Sequence, residues 1–289
     1  MTAGVPRPSE DALIEHTPED MTITAEAGMT LQRLQEILAL HKQWLPLDPA
    51  WPESLTLAEV VMQNLSGPRR CGWGTVRDYV IGMRVMLANG KTIHAGGKVV
   101  KNVAGYDLCK LFVGSGGKLG TLTEVTFMVR PKPAASSVVE FRAESWIKSV
   151  PVVKEILASP LVPVVFDLHQ TVEAGRTSAT LTLGFEGTRA EVEWQVALAR
   201  TLADFQPGDL TYEAGFWARF PDRASCGVTS VVPGKIPEYL EKLGAAPFVA
   251  RIVNGVIYHP GDSLRPIPVD LDLSRRAKAA FDPRGVLAG

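Results

Sequence analysis

The sequence predicts an α+β protein of two domains, and three observations support this prediction. A strand-like alternation at Met21–Ala27 is followed by a helix-like pattern that begins after Thr30. An Asn89-Gly90 turn separates two apolar runs, as in a β-hairpin. After Pro131-Lys132-Pro133 the pattern changes. The 289 residues suffice for two domains, which we place at 1–133 and 134–289.

Composition and charge exclude several classes of protein. The chain is 46% hydrophobic and 21% charged, as in an ordinary soluble protein, and its formal net charge is −1. This balance gives no electrostatic case for binding nucleic acid or an anionic membrane. Cys71, Cys109 and Cys226 are too widely spaced for a zinc site or a disulfide framework, which favours a reduced, cytoplasmic setting. Residues 1–10 do not have the pattern of a signal peptide, and no apolar run is long enough to span a membrane. We therefore expect membrane contact only through partners.

The first domain is predicted to contain an antiparallel sheet with flanking helices. Thr30 is expected to cap a helix with one buried face, and Leu55–Gln63 is expected to form a short buried helix. The residues before and after Asn89-Gly90 are expected to pair as a hairpin with a type I′ turn.

The second domain is predicted to be a sheet with helices on one face. The helix-like segments are 147–157 and 189–202. The strand-like segments are 138–141, 164–168, 179–185, 228–232, 248–253 and 256–259.

A glycine-rich stretch, Gly96–Gly120, lies directly before the strand-like run Thr121–Val129. It holds seven of the chain's 26 glycines. Glycine allows backbone to approach a ligand closely, and exposed N–H groups there can hold an anion. The alternative is an ordinary turn between two core elements, and spacing alone leaves both interpretations open.

This stretch closely resembles the second half of the FAD-binding domain of vanillyl-alcohol-oxidase-type (PCMH-type) flavoproteins. Within them the sequence is most similar to the E subunits of bacterial glycolate oxidases. The resemblance runs from Ile14 to Pro133, then thinly to a family-type tail at Ala277–Leu287. Its pieces are Lys98–Leu108, Gly114-Ser115-x-Gly117-x-Leu119-Gly120, Asn64–Arg70, Trp73–Asp78 and the Asn89-Gly90 turn.

The resemblance implies an FAD-binding domain followed by a smaller α+β cap-like domain. It also implies hydride transfer from a 2-hydroxy acid to the flavin, and partner subunits that include an iron–sulfur electron acceptor. Three patches would meet FAD: Asp48 to Thr56; Gln63, Asn64, Ser66 and Gly67; and Gly116, Gly117, Leu119, Gly120 and Leu122.

Two departures from the family affect the cofactor. The family begins with a smaller subdomain whose glycine-rich loop wraps the FAD pyrophosphate, and we expect this chain to lack it. Ala58-Glu59 also stands where the family has Gly-Gly. Losing roughly three charged hydrogen bonds would cost about 5–9 kcal/mol, so tight FAD binding by this chain alone is doubtful. The missing subdomain would also leave the face near Met21–Ala27 exposed, which predicts self-association or a bound partner.

Three hypotheses therefore remain. The first is an FAD-binding oxidoreductase subunit, and the second is a flavin-free, degenerate relative that acts as a scaffold or interface subunit. The third is a stand-alone small-molecule binding domain, which has support only at the level of the fold. No catalytic residue is identified by its spacing. The aromatic and basic candidates of the second domain are Tyr212, Trp217, Arg219, Arg251, Tyr258 and His259. For His259, a half-buried structural role is expected ahead of a contact with substrate or flavin.

Overall fold

The computed structural model describes residues 13–97, 107–173, 175–220, 225–261 and 271–287. The central part of the glycine-rich stretch, 98–106, lies outside the described residues. The chain divides into two compact units. Unit 1 takes its residues from 1–67, 74–132 and 269–289, and unit 2 takes its residues from 68–73 and 133–268. None of the helices in the described ranges is long and apolar enough to cross a membrane.

Short helices and strands alternate in the first half of the chain. The strands are β1 (Leu13–Thr17), β2 (Thr22–Glu26), β3 (Gln43–Trp44), β4 (Val80–Met86), β5 (Thr92–Gly96), β6 (Thr121–Met128) and β7 (Arg130–Pro131). The helices are α1 (Leu31–Ala39), α2 (Leu57–Gln63), α3 (Arg70–Trp73), α4 (Val76–Tyr79) and α5 (Cys109–Phe112).

Unit 1 is built on a five-stranded antiparallel sheet in the order β1-β2-β6-β4-β5. Side chains from α1, α2 and the sheet form one hydrophobic core, which includes Leu34, Val60 and Phe127. Thr30 caps α1 as predicted, since its hydroxyl accepts a hydrogen bond from the N–H of Arg33 at 3.2 Å. The antiparallel sheet with flanking helices is confirmed.

The face near Met21–Ala27 does not form the exposed surface expected from the sequence. Ile23 and Ala25 are buried, because their side chains belong to the hydrophobic core of unit 1. The two edges of β2 are also covered, since it pairs with β1 on one side and β6 on the other. The expectation that this stretch drives self-association therefore loses its basis.

The hairpin of β4 and β5 forms as predicted, but its turn is not type I′. Gly90 has a φ of 80°, whereas Asn89 does not have the positive φ that a type I′ turn requires. The N–H of Gly90 donates to the carbonyl of Leu87 at 2.9 Å, and the N–H of Leu87 donates to the carbonyl of Lys91 at 2.8 Å. This arrangement is a three-residue loop with glycine in the left-handed position, the next most common way to close a hairpin.

Longer elements form the second half of the chain. The strands are β8 (Ala135–Ala143), β9 (Val165–Glu173), β10 (Arg176–Gly187), β11 (Gln206–Pro207), β12 (Cys226–Ser230), β13 (Phe248–Arg251) and β14 (Val256–Pro260). The helices are α6 (Trp146–Ala158), α7 (Arg189–Leu202), α8 (Thr211–Trp217), α9 (Ile236–Leu243) and α10 (Leu271–Phe281).

Unit 2 is built on a seven-stranded sheet in the order β11-β8-β10-β9-β13-β14-β12. Alternate residues of its central strands, such as Phe166 and Leu183, enter a hydrophobic core with α6, α7 and α9. The opposite face is polar, and α8 packs against it. The prediction of helices on one face is therefore correct for α6 and α7, but α8 lies on the other face because polar contacts hold it there.

Two segments cluster differently from the sequence-based division at residue 133. The tail lies in unit 1, because the ring of Phe281 in α10 packs edge-on against Phe112, with ring centroids 5.6 Å apart. Residues 68–73 lie in unit 2, because Glu186 accepts hydrogen bonds at 2.7 Å from both Arg69 Nε and Trp73 Nε1. The N–H of Gly72 also donates to the carbonyl of Val164 at 3.2 Å.

Candidate functional site

The start of α2 is closed by the protein itself. Thr56 and Glu59 form a capping box, in which the Thr56 N–H and hydroxyl both donate to the Glu59 carboxylate at 2.8 Å. The N–H groups of the first helical turn, Leu57 to Val60, donate to the protein's own oxygen atoms. A helix N-terminus binds an anion through free N–H groups, and here none is left for a phosphate.

The other end of α2 meets the glycine loop. Asn64 ends the helix in the left-handed conformation, with a φ of 53°. The N–H groups of Gly114 and Gly116 donate to the last carbonyls of the helix, those of Val61 and Met62, at 3.1 and 2.8 Å. Two of the three predicted patches are thereby brought together at the C-terminal end of α2.

At this end of the helix, two buried polar atoms have no partner among the residues that the structure describes. Asn64 Oδ1 and Ser66 Oγ are both inaccessible to solvent and make no hydrogen bond in the described part of the chain. Leaving a buried polar group unpaired costs about 1–3 kcal/mol. Orphaned atoms of this kind are most simply explained by a polar ligand or water that completes their hydrogen bonds.

Gly67 brings its backbone against Asp48. A Cβ added to Gly67 would lie 1.9 Å from the carbonyl oxygen of Asp48 and 2.5 Å from its Oδ1. Such distances exclude any larger residue unless the backbone moves. The segment from Asn64 to Gly67 is therefore held close to Asp48 by the absence of a side chain.

The remaining predicted residues differ in what they can offer a ligand. Gly116 and Gly117 have φ values of 64° and 76°, a conformation that favours glycine and leaves their backbone accessible. The side chains of Leu119 and Leu122 belong to the hydrophobic core, so only their backbone can face a cofactor. A Cβ on Gly120 would lie 2.4 Å from Val85 Cγ1, which indicates that this glycine serves packing within the sheet.

Seven of the eleven predicted residues thus lie at or beside the C-terminal end of α2. These are Asp48, Gln63, Asn64, Ser66, Gly67, Gly116 and Gly117. Gln63 is exposed in the last turn of the helix. Thr56 lies at the opposite end of α2, roughly 10 Å away for a seven-residue helix.

Unit 2 contains a buried charge cluster that the sequence did not predict. The guanidinium group of Arg251 pairs with the carboxylates of Asp167 and Glu213, and all three side chains are buried. The Tyr212 hydroxyl donates to Asp167 Oδ2 at 2.5 Å, and Trp217 Nε1 donates to Glu213 at 3.0 Å. These contacts fix α8 on the polar face of the sheet.

The charges of this cluster do not balance, since two carboxylates face one guanidinium group. Burial raises the pKa of Asp167 to about 7; the Glu213 charge adds to the rise and Arg251 opposes it. Burial lowers the pKa of His169 to about 4, and the charges of Arg251 and Arg142 act in the same direction. A pKa of about 4 leaves the His169 ring neutral at pH 7. This ring stacks on the Tyr212 ring, with the two centroids 4.1 Å apart.

His259 has a structural role. Its side chain is buried, and its Nε2 lies 2.9 Å from the Thr229 hydroxyl and 3.0 Å from the Tyr239 hydroxyl. Its Nδ1 lies 2.8 Å from the carbonyl oxygen of Pro260. Both ring nitrogens therefore lie within hydrogen-bond distance of protein groups. This is the structural role that the sequence favours over a contact with substrate or flavin.

The sequence missed the charge cluster because its members are far apart in the chain. Asp167 and Arg251 are 84 positions apart, and no spacing rule connects them. The available signal was weak: Asp167 and Arg251 are charged residues within strand-like apolar runs, where a buried charge needs a partner.

Comparison with known proteins shows which proteins this chain is similar to. Residues 10–96 match the family described as "FAD binding domain". The fold is that of an FAD-binding domain followed by a cap-like domain. Among solved structures, alkyldihydroxyacetonephosphate synthase has a TM-score of 0.70 at 16% identity, covering 95% of this chain and 64% of that protein. At this identity the likeness supports the fold alone.

Among curated relatives, the chain is similar to glycolate oxidase subunits. It is 43% identical over 125 residues to glycolate oxidase subunit GlcE of Escherichia coli K12, covering 43% of this chain and 36% of the relative. It is 35% identical over 151 residues to glycolate oxidase subunit GlcD of Bacillus subtilis 168, covering 52% and 32%. The matches span about a third of each relative's length. They confirm the resemblance to vanillyl-alcohol-oxidase-type flavoproteins.

Proposed function

We propose that this chain is the FAD-binding subunit of a glycolate-oxidase-like oxidoreductase complex that oxidises a 2-hydroxy acid. The observation that carries the proposal is the pair of orphaned polar atoms, Asn64 Oδ1 and Ser66 Oγ. Both lie in a segment that resembles the cofactor-contacting segment of the flavoproteins. When bound, FAD supplies the two-electron chemistry that accepts a hydride from such a substrate.

The residues of this chain would act by binding and orientation. Asn64 Oδ1 would accept a hydrogen bond from the cofactor, and Ser66 Oγ would donate or accept one. Asp48 and Gly67 would hold this segment in place through their close backbone contact. The backbone of Gly116 and Gly117 would lie beside it. No group of the described residues is assigned a catalytic role.

The proposal includes partners and a location. The similarity to two glycolate oxidase subunits supports a multi-subunit complex, in which an iron–sulfur subunit would accept the electrons. The complex would be cytoplasmic, or peripheral to the membrane through its other subunits. Association of this chain with itself stays open, now without the exposed face expected from the sequence.

A second candidate function is a flavin-free scaffold or interface subunit. The observation that favours it is the closed N-terminus of α2, where the Thr56–Glu59 capping box takes the donors that a phosphate would need. This end offers FAD no backbone donor. The flavin-free hypothesis therefore predicts a colourless protein that FAD does not reconstitute, yet one that copurifies with its partner subunits.

FAD titration of the purified chain distinguishes the two functions. The first predicts saturable quenching of flavin fluorescence and release of FAD on denaturation. Ser66→Ala should weaken FAD binding by about two- to tenfold, since one hydrogen bond contributes about 0.5–1.5 kcal/mol. The same change should leave stability without FAD unchanged or slightly higher, because it removes an unpaired buried hydroxyl.

Ser230→Ala is the matched control, since Ser230 is an exposed serine at the end of β12 in unit 2 and belongs to none of the predicted FAD patches. It should leave FAD affinity unchanged. Equal weakening by both variants, or no saturable binding of FAD, would contradict the proposed cofactor site.

A further inference from the structure

The polar face of the unit 2 sheet has side chains in cross-strand rows. In one row Glu140, Thr182, Asp167 and Arg251 lie opposite one another on four adjacent strands. Helix α8 covers this row through its contacts with Asp167 and Arg251. In the next row Arg142, Thr180, His169 and Val249 are aligned in the same way.

This second row lines a groove of about 470 Å³, bordered on one side by α8. The volume lies within the usual range for small-molecule sites, about 300–1,000 Å³. Tyr212 and Phe216 of α8 give the groove an aromatic wall. A groove with a polar base and an aromatic wall suits a small ligand that has both an apolar ring and polar groups.

Several polar groups of the groove form no hydrogen bond within the described part of the chain. No hydrogen bond of the described residues uses Nδ1 of His169, although its side chain is more than nine-tenths buried and its Nε2 lies 3.3 Å from the Thr182 hydroxyl. The Thr180 hydroxyl and the Arg219 guanidinium group likewise have no partner in the described ranges. Three groups that can donate a hydrogen bond therefore line one groove.

The charges of the groove indicate the class of ligand. Arg142 and Arg219 both line it, and guanidinium groups bind carboxylates through two parallel hydrogen bonds. The carboxylate of Glu140 is already engaged, by Arg142 at 3.2 Å and by the N–H of Asp209 at 3.4 Å. The other carboxylate, that of Glu173, is exposed. Within the described ranges, Arg219 is therefore the arginine of this groove that has no carboxylate partner.

We infer that this groove binds a small organic carboxylate with a planar ring. Arg219 would pair with the carboxylate, while Thr180 and Nδ1 of His169 would bond to a neighbouring hydroxyl or carboxylate oxygen. The ring would pack beside the stacked His169 and Tyr212. This inference does not depend on the FAD site, since every residue it uses belongs to unit 2.

Calorimetric titration of the full chain with salicylate, a ring with a carboxylate and a hydroxyl, tests the inference. Saturable binding of one salicylate per chain is expected. Arg219→Ala and Thr180→Val should each weaken it at least about tenfold, which corresponds to ~1.4 kcal/mol. Salicylamide, which has the same ring without the charge, should bind at least about tenfold more weakly.

Arg176→Ala is the matched control, because Arg176 is an exposed arginine on the same strand as Thr180 and does not line the groove. Its affinity for salicylate should equal that of the wild type. Equal weakening by Arg176→Ala and Arg219→Ala would indicate general attraction to positive charge and overturn the inference. Equal binding of salicylamide, or no saturable binding of salicylate, would overturn it as well.

Discussion

The interiors of the two units differ in how they treat charge. In the described part of unit 1, Asp282 is the only charged side chain among the buried polar residues. Unit 2 buries Glu140, Asp167, Glu213 and Arg251. Apart from Asp48, which is not fully buried, the candidate cofactor site of unit 1 uses backbone and neutral side chains, whereas the polar face of unit 2 depends on paired charges. An unpaired neutral group costs about 1–3 kcal/mol, but a buried charge that loses its partner costs more.

The largest expected effect is the loss of the one cation in the buried cluster. Arg251→Met leaves Asp167 and Glu213 buried without a counter-charge, and it should lower the free energy of unfolding by about 3–5 kcal/mol. Urea denaturation at pH 7 measures this loss. Arg176→Met, at an exposed position, should change stability by less than about 0.5 kcal/mol. If Arg251→Met and Arg176→Met lowered the free energy of unfolding by similar amounts, unit 2 would not depend on its buried charge pairs.

The second prediction concerns two opposed titrations in unit 2. The raised pKa of Asp167 means that the folded state keeps a proton that the unfolded state loses, so this group lowers stability as pH rises from about 4 to about 7. The lowered pKa of His169 means that the unfolded state gains a proton first, so this group raises stability from about pH 4 to about 6.5. The two effects should cancel over their shared range.

His169→Gln removes one side of this balance. Relative to the wild-type profile, the variant's stability should then fall by up to about 1.4 kcal/mol per pH unit between about pH 4 and 6.5. Asp167→Asn should show the opposite slope, with stability that rises from about pH 4 to 6.5. Urea denaturation across this range measures both slopes, and parallel profiles for the two variants would show that these groups do not titrate in opposition.

The third prediction tests the close backbone contact in unit 1. Gly67→Ala places a methyl group against the carbonyl of Asp48 and should destabilise the protein by about 1–3 kcal/mol. It should also lower FAD affinity, because the segment from Asn64 must shift. Gly97→Ala is the control, since a Cβ there meets no atom within 4 Å. Thermal unfolding and FAD titration measure the two effects, and equal behaviour of both variants would argue against a fixed segment.

The smallest effect is expected at the closed start of α2. Glu59→Gly breaks the capping box, which should cost about 1 kcal/mol of stability. It also frees the N–H of Thr56 and removes a negative charge, so FAD affinity should rise severalfold. Glu36→Gly makes the same exchange at an exposed position in α1 and should leave FAD affinity unchanged. An FAD affinity that Glu59→Gly does not alter would count against FAD phosphates near this helix end.

The comparison between the units also shows what a sequence can predict. The strands and long helices were predictable, because alternation and helical spacing report burial directly, as in β10 and α7. The candidate site of unit 1 was partly predictable because glycine marks close backbone approach, as at Gly67 and Gly116.

Other features depend on contacts that no local pattern encodes. Helix α8 has only seven residues and is held by Tyr212 and Glu213 against distant strands, so it was missed. The Asn89-Gly90 turn was assigned to the wrong type because the same dipeptide fits two loop lengths. The capping role of Glu59, in contrast, follows a local pattern, because Thr56 and Glu59 have the spacing of a capping box.

The short segment 68–73 limits how the two units can be expressed separately. It belongs to unit 2, although the chain enters it directly from Gly67 and leaves it at Gly74 for unit 1. A fragment that starts at residue 133 would therefore lack Arg69 and Trp73, the two donors that satisfy the carboxylate of Glu186. A single cut cannot release either unit with all its contacts, so recombinant halves should be made by circular permutation rather than by truncation.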